Sequence, residues 1–145
     1  MTQKDFDKFV ARLGEALNRH DLKGLAALYA EGAVRIGPAW SEARGREAAA
    51  NTRDPLFRAF PNLSVKVHRY FWAGDFGFVE WTWAGTHTSL YETPQGTIAP
   101  TGKRVELSGV SIFEFDRYGY IVKEQAYFDV MTMMSQMGQQ VARAA

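Results

Sequence analysis

The stretch Glu124–Met134, EQAYFDVMTMM, marks a change from one secondary structure to another. Up to Phe128 the residues alternate as in a strand, whereas the residues from Val130 onward have helical spacing. Asp129 stands at the junction, and Asp is a preferred cap at a helix start because its carboxylate accepts free backbone amide hydrogens. Two interpretations stay open: Asp129 caps the last helix, or it is a catalytic carboxylate in an apolar pocket.

The chain before this junction predicts a series of long strands. Its residues follow a period of two and are rich in aromatic and β-branched types. The predicted strands cover 63–72, 76–88, 103–116 and 120–128. Residues 89–102 contain two prolines and two glycines and predict a long loop between the second and third of these strands.

The N-terminal part and the C-terminal end predict helices. Apolar residues recur at steps of three and four from Phe6 to Leu17, which makes one stripe on a first helix. A second, short helix is expected from its cap at Asp21 to Gly32, followed by a short strand at 34–36. The remaining helical predictions are 45–60, interrupted at Asp54–Pro55, and 130–137, with a tail from 139 that continues as frayed helix.

Composition limits the class of protein. The 145 residues suffice for one domain, 1–145, and a hydrophobic share of 46% favours a packed core. A net charge of +1 without a basic run argues against nucleic acid as a partner, and no apolar stretch approaches the ~18 residues of a membrane span. The N-terminus does not resemble a signal peptide, and cysteine is absent, so we expect a cytoplasmic protein without disulfides or thiol chemistry.

The order of these elements predicts an α+β fold. Helices come first and a meander of strands follows, which is typical of a curved antiparallel sheet wrapped over N-terminal helices. Strands of this length bend, and a bent sheet over helices encloses a cavity. An aromatic outer face of the sheet would favour a homodimer.

Several sequence strings also occur in an order typical of one family. They are DLKGLAALYAEGAV (21–34), GREAA (45–49), AFPNLSV (59–65), GDFGFVEWTWAGTHT (74–88), PTGKRVELSGV (100–110) and YIVKEQAYFDVMTMMSQMG (120–138). The chain resembles the SnoaL-like polyketide cyclase family, within the nuclear transport factor 2-like fold. The most specific pieces are GTHT with the later PTGK, and the Y-x-D before the last helix.

The resemblance implies a cone-shaped α+β barrel with a deep apolar pocket, usually as a dimer. It implies ring closure by intramolecular aldol condensation, with neither metal nor organic cofactor. In the family a pocket Asp removes a proton next to a carbonyl and a His helps to hold the enolate. The matching positions here are Ala126 and Ser111, so the fold and pocket carry over and the aldol chemistry does not.

Three residues are candidates for catalysis: Asp129, His87 and Glu124. His87, in GTHT, has an imidazole that exchanges protons near pH ~6.5, or else it ties the long loop to its strand by hydrogen bonds. Glu124 has the strand parity of Ala126 and is the nearest replacement acid if that face points inward, or else it is a solvated strand glutamate. The histidines are not spaced as a metal site, so we expect no metal and no cofactor.

Aromatic residues are numerous enough to line a pocket as well as fill a core. Trp81 and Trp83 share one face of a strand, where they form core, dimer contact or pocket wall. The candidate ligand-binding residues are Trp40, Phe60, Trp81, Trp83, Ser111, Phe113 and Tyr127.

The leading hypothesis is a cofactor-independent acid–base enzyme of the cyclase, isomerase, lyase or hydratase kind, acting on a hydrophobic or polyketide-like substrate. The alternative is a non-catalytic small-molecule-binding module or dimeric scaffold, which the loss of both cyclase positions favours. A third hypothesis, water activation as in epoxide hydrolases, needs an Asp-Arg-Asp cluster, for which Arg35, Asp75 and Asp129 are the candidates.

Overall fold

A computed structural model describes residues 1–139. The helices are α1 (Gln3–Asn18), α2 (Leu22–Ala26), α3 (Arg46–Asn51), α4 (Asp54–Ala59) and α5 (Val130–Gln136). The strands are β1 (Tyr29–Gly37), β2 (Ser41–Arg44), β3 (Ser64–Trp72), β4 (Gly77–Thr86), β5 (Tyr91–Thr93), β6 (Gly96–Ile98), β7 (Arg104–Phe115) and β8 (Ile121–Phe128).

Six of these strands form one sheet in the order β2-β1-β8-β7-β4-β3. All its neighbouring strands run antiparallel except β1 and β8, which are parallel. Strands β5 and β6 form a separate hairpin. The predicted α+β class, a curved antiparallel-rich sheet with N-terminal helices, is confirmed.

Helix α1 is held against the sheet by its apolar stripe. Thr2 caps the helix and exchanges hydrogen bonds with Asp5, which satisfies amide groups that the helix start leaves free. Phe6 and Phe9 are buried, and the ring of Phe9 lies 5.1 Å from that of Phe113 on β7. Burial of each such ring contributes about 1.5–3 kcal/mol. This aromatic cluster closes one end of the space between α1 and the sheet, and Leu13 borders the space that stays open.

The predicted long strands, the interrupted helical segment at 45–60 and the last helix are confirmed. The predicted helix to Gly32 is wrong, because α2 ends at Ala26 and Gly32 lies in β1. Pairing of Tyr29 with Ile121 on β8 takes the chain into the sheet, and such tertiary pairing overrides local helix propensity.

Two further features depart from the sequence expectations. The loop predicted at 89–102 contains the β5–β6 hairpin, in which Tyr91 pairs with Ile98 and Gly96 adopts a φ of 132°. Strand β2 was not predicted, because its residues SEAR have no strand pattern and extend only by pairing with β1. The frayed helix was predicted for the tail from 139; residue 139 is not helical, and the residues from 140 onward lie outside the described part of the chain.

The outer face of the sheet carries exposed aromatic side chains. Phe71 on β3 and Tyr127 on β8 are each 56% exposed. Homodimerisation through such a face stays a prediction. Within residues 1–139, no helix combines the length and the apolar character that crossing a bilayer requires.

Candidate functional site

The concave face of the sheet borders a cavity of about 250 Å³. Helices α1 and α4 close it opposite the sheet, with Leu17 and Leu56 among their contributions. On β4, Val79, Trp81 and Trp83 face the cavity, because successive side chains of a strand point to opposite faces. The walls are therefore mainly apolar and aromatic, as in sites for small organic molecules.

A buried charged cluster forms the polar part of the wall. Glu124 is 1% exposed, and its Oε2 accepts a hydrogen bond of 2.9 Å from Arg35 Nε. Arg53 Nη2 lies 3.2 Å from Oε1 and 3.3 Å from Oε2 of the same carboxylate. The hydroxyl of Tyr29 donates to Oε1 and in turn accepts from Arg53 Nη1 at 2.9 Å. Glu124 therefore accepts four hydrogen bonds, and both oxygens are occupied.

Different elements supply the members of this cluster. Arg35 on β1 is the register partner of Glu124 on β8, so the parallel pairing places the two side chains together. Tyr29 opens β1, and Arg53 lies between α3 and α4. Glu124 is far in sequence from the other three residues, so the cluster forms only when β8 pairs with β1.

The electrostatics keep Glu124 ionised. Burial by itself raises the pKa of Glu124, but the charges of Arg35 and Arg53, with the hydrogen bonds from Tyr29 and Arg35, outweigh it and lower the pKa to about 2. Burial raises the pKa of Tyr29 to about 12, so its phenol stays neutral. A carboxylate with such a low proton affinity is a weak general base near neutral pH. Its evident effect is to hold two guanidinium groups in place.

Arg35 is also held on its other sides. Its guanidinium carbon lies 3.7 Å from the ring centroid of Trp40, a cation–π contact, and its Nη1 donates to Thr52 Oγ1 at 2.9 Å. Trp40 Nε1 donates to the Arg35 carbonyl at 3.2 Å. Arg35 Nη2 has no hydrogen-bond acceptor among residues 1–139. The guanidinium thus keeps the two N–H groups of Nη2 for a molecule in the cavity.

Ser111 adds a second polar group to the wall. Its Oγ accepts a hydrogen bond of 3.0 Å from Trp81 Nε1, which orients the indole. The serine hydroxyl hydrogen has no acceptor in the described part of the chain. Two donor groups of cavity-lining residues, Arg35 Nη2 and the Ser111 hydroxyl, therefore have no acceptor among residues 1–139.

The cavity brings together six of the residues predicted from sequence. They are Glu124, Trp40, Trp81, Trp83, Ser111 and Phe113. Two predicted ligand contacts lie elsewhere. Phe60 is fully buried behind the wall, with its ring 5.2 Å from that of Trp83. Tyr127 projects from the outer face, because it alternates with the inward-facing Ala126 and Phe128.

Asp129 caps α5 and lies outside the cavity wall. Its Oδ1 accepts the Met131 amide hydrogen at 2.9 Å, and its Oδ2 accepts the Thr132 hydroxyl at 2.8 Å. The Thr132 hydroxyl contributes most to lowering the pKa of Asp129, which is exposed. The cap interpretation is confirmed, and the structure does not bring this carboxylate to the other candidate groups.

His87 is fully buried and is not part of the cavity wall. Its Nδ1 lies 3.0 Å from Thr101 Oγ1, and its backbone amide donates to the Lys103 carbonyl at 2.9 Å. Desolvation lowers the pKa of His87, which favours the neutral ring. Its Nε2 has no partner among the described residues. These contacts connect the end of β4 to the segment before β7. They agree with the interpretation that His87 ties the long loop to its strand by hydrogen bonds.

The sequence analysis did not identify Tyr29 or Arg53 as site residues. It considered Arg35 only as part of an Asp-Arg-Asp cluster. Asp75, in the β3–β4 turn, and Asp129 are exposed and away from the cavity, so the Asp-Arg-Asp cluster does not form there. The available signal for Arg35 was its position between apolar neighbours in the predicted strand at 34–36. Among residues 1–139, no three His, Asp or Glu side chains gather in a way that could hold a metal ion.

Comparisons with known proteins agree with this architecture. A proposed SnoaL-like polyketide cyclase from Jannaschia sp. CCS1 superimposes with a TM-score of 0.81 at 20% identity, covering 96% of this chain and 95% of that chain. IdmH from Streptomyces antibioticus, a proposed polyketide cyclase, gives 0.73 at 26% identity, covering 91% and 97%. An LEH-like epoxide hydrolase from M. tuberculosis gives 0.68 at 23% identity, covering 93% and 90%.

No curated protein matches the chain. The family model for SnoaL-like polyketide cyclases matches residues 8–137, which is nearly all of the sequence. The chain therefore belongs to the SnoaL-like polyketide cyclase family.

Proposed function

We propose that this protein is an enzyme that acts on a hydrophobic, polyketide-like small molecule in the cavity, by cofactor-independent acid–base chemistry of the cyclase, isomerase, lyase or hydratase kind. One observation carries the proposal: a buried cluster of Glu124, Arg35, Arg53 and Tyr29 borders a mainly apolar cavity. Buried ion pairs add little stability compared with apolar residues of similar size. Polar groups with strongly shifted pKa values in a pocket are typical of functional sites.

The geometry supports the electrophilic half of such chemistry. Removal of a proton next to a carbonyl builds negative charge on the carbonyl oxygen, and fixed donors stabilise that charge in a dry site. Arg35 Nη2 and the Ser111 hydroxyl are the donors available here. In this proposal Glu124 does not accept the proton, which passes instead to water or to the carboxylate of Glu92 at the exposed edge of the cavity. Glu124 is instead a positioning residue, because its carboxylate holds Arg35 through the hydrogen bond from Nε.

The alternative is a binding module that retains the cavity without the chemistry. It is favoured by Ala126, which stands at the cyclase acid position, and by the saturation of Glu124 with hydrogen bonds. In either case the partner is a small hydrophobic ligand. The homodimer, the cytoplasmic location and the exclusion of nucleic acid and membrane as partners stay predictions.

A ligand screen followed by a turnover assay separates the two proposals. Polyketide, terpenoid, steroid and aromatic-acid compounds are tested for a dose-dependent rise in melting temperature, since ligands of the folded state stabilise it. Each compound that binds is then incubated with the protein, and its products are analysed by mass spectrometry. Conversion that is lost in Arg35→Gln while Arg69→Gln retains it would support the enzyme. Binding without conversion across the screen favours the module, and an absence of binding contradicts both.

A further inference from the structure

The charges around the cavity do not balance. Arg35 and Arg53 are each 7% exposed and carry two positive charges, whereas Glu124 supplies one negative charge between them. The nearby phenol of Tyr29 is neutral. Burying a net charge is costly unless a counter-charge accompanies it. The cluster therefore has one positive charge in excess.

Among residues 1–139, other ionised groups near the cluster do not supply the missing negative charge. Glu92, at the cavity edge, has a side chain that is 61% exposed, and it lies 3.6 Å from Arg58. Water and this partner screen its charge. Arg46, which donates to the Tyr29 carbonyl at 2.9 Å, adds a further positive charge on the side of the cluster formed by β1.

The excess charge coincides with a free donor. Arg53 uses Nη1 for the Tyr29 hydroxyl and the Ala49 carbonyl and Nη2 for Glu124, so only the single N–H of its Nε is without an acceptor among residues 1–139. Arg35 borders the cavity and keeps Nη2 without an acceptor among residues 1–139. The Trp40 ring under its guanidinium and the bonds to Glu124 and Thr52 hold that donor in one orientation. A preorganised, partly desolvated guanidinium is a site for a carboxylate.

We propose that the ligand of this cavity is an aromatic or polycyclic carboxylic acid, whose ring system lies among Trp81, Trp83 and Phe113 and whose carboxylate binds Arg35 Nη2. The inference deepens the proposed function and rests on it, since it assigns a substrate class to the same cavity. The bound carboxylate neutralises the cluster, and the Ser111 hydroxyl is available to the same or a neighbouring oxygen of the ligand.

The test compares two probes of nearly equal shape, naphthoic acid and naphthamide, by isothermal titration calorimetry with the wild-type protein at neutral pH. A hydrogen bond between charged partners predicts that the acid binds about tenfold to a hundredfold more tightly than the amide. Equal binding of the two probes overturns the charge inference and leaves an apolar small-molecule cavity intact. If neither probe binds while neutral hydrophobic compounds do, the inference also fails.

Three variants locate the effect. Arg35→Gln is expected to bring the affinity for the acid down to that for the amide, whereas the amide affinity, which also reports on folding, stays unchanged. Glu124→Gln removes the competing negative charge, while its amide oxygen can still accept from Arg35 Nε, so the folded fraction of this variant is expected to show an increased preference for the acid. Arg69→Gln, which breaks the exposed ion pair with Glu80 on the outer face, is expected to leave the preference unchanged. The same acid-to-amide ratio in all three variants would contradict the assignment to Arg35.

Discussion

Arg35 and Glu124 are register partners in the parallel pairing of β1 and β8, and their side chains meet at 2.9 Å inside the protein. They are 89 positions apart in the chain. Their ion pair forms only when the first strand of the sheet reaches the last one. Formation of the charged cluster and the pairing of β1 with β8 are therefore one event.

The ionisation of Glu124 predicts a specific loss of stability in acid. Its pKa is about 2 in the folded protein against a reference value of 4.5. Because the folded pKa is the lower one, the contribution is complete above the reference value and is lost as the pH falls from there toward about 2. A shift of this size corresponds to about 3 kcal/mol of unfolding free energy. Urea unfolding at a series of pH values measures it, with the extra loss present in wild type and absent in Glu124→Gln.

At neutral pH the Glu124→Gln variant is itself expected to be destabilised by about 3–5 kcal/mol, because two buried guanidinium groups lose their counter-charge. Glu114→Gln is the matched control, since Glu114 is a strand glutamate with an exposed side chain, 3.9 Å from Lys123. Its change in unfolding free energy is expected to stay within about 0.5 kcal/mol. Equal effects of the two substitutions would show that the cluster is not buried as described.

The cap at Asp129 predicts an effect on stability without an effect on chemistry. Asp129→Ala leaves amide hydrogens at the start of α5 without an acceptor, so the melting temperature is expected to fall by a few degrees. Asp129→Asn keeps an acceptor and is expected to recover most of that loss. Ligand affinity and turnover are measured on the Asn variant. Normal folding with lost turnover in that variant would instead give Asp129 a part in the reaction.

The inward face of β4 predicts which aromatic residues bind a ligand. Trp81→Ala removes an aromatic wall and the hydrogen bond to Ser111, and it is expected to weaken binding of naphthoic acid about tenfold. Tyr127→Ala is the control, because it truncates an aromatic residue on the opposite face of the same sheet. Calorimetric titration of both variants checks the prediction, which fails if the Tyr127 variant loses as much affinity as the Trp81 variant.

Gly109 on β7 packs against Trp81 so closely that a larger side chain at this position is not expected to fit. A Cβ atom at this position would stand 2.6 Å from the Trp81 ring and 2.6 Å from the Tyr127 carbonyl oxygen. Gly109→Ala is therefore expected to lower the unfolding free energy by about 1–3 kcal/mol and to change the tryptophan fluorescence. Gly32→Ala serves as the comparison, since a Cβ atom there meets no other atom within 4 Å. Wild-type fluorescence and stability in the Gly109 variant would contradict the described packing.

Burial of His87 predicts that its imidazole stays neutral at physiological pH. Desolvation lowers its pKa below the ordinary 6.5, so protonation of the ring requires more acid than in an unfolded chain. A nuclear magnetic resonance titration, with the signal assigned from a His87→Gln spectrum, measures this pKa. A value above 6.5 would point to a counter-charge near Nε2 and reopen a role in proton transfer.

Much of the fold could be predicted from local pattern. The alternation along 76–88 placed Trp81 and Trp83 on one face, and the parity with Ala126 directed Glu124 inward. Errors arose where long-range pairing decides the conformation. Tyr29 and the residues after it have helical neighbours in sequence, yet they join β8. The hairpin β5–β6 was not predicted, because it lies in a stretch whose prolines and glycines are typical of a loop.

Local sequence pattern was sufficient to predict the class of fold, the long strands and the apolar wall of the cavity, because side-chain alternation and helical spacing are properties of neighbouring residues. The charged part of the site, in contrast, depends on contacts between distant segments of the chain. No local sequence pattern is shared by Tyr29, Arg35, Arg53 and Glu124. The parallel pairing of β1 with β8 brings them together. That pairing depends on burial summed over the whole sheet, which no short stretch of sequence encodes.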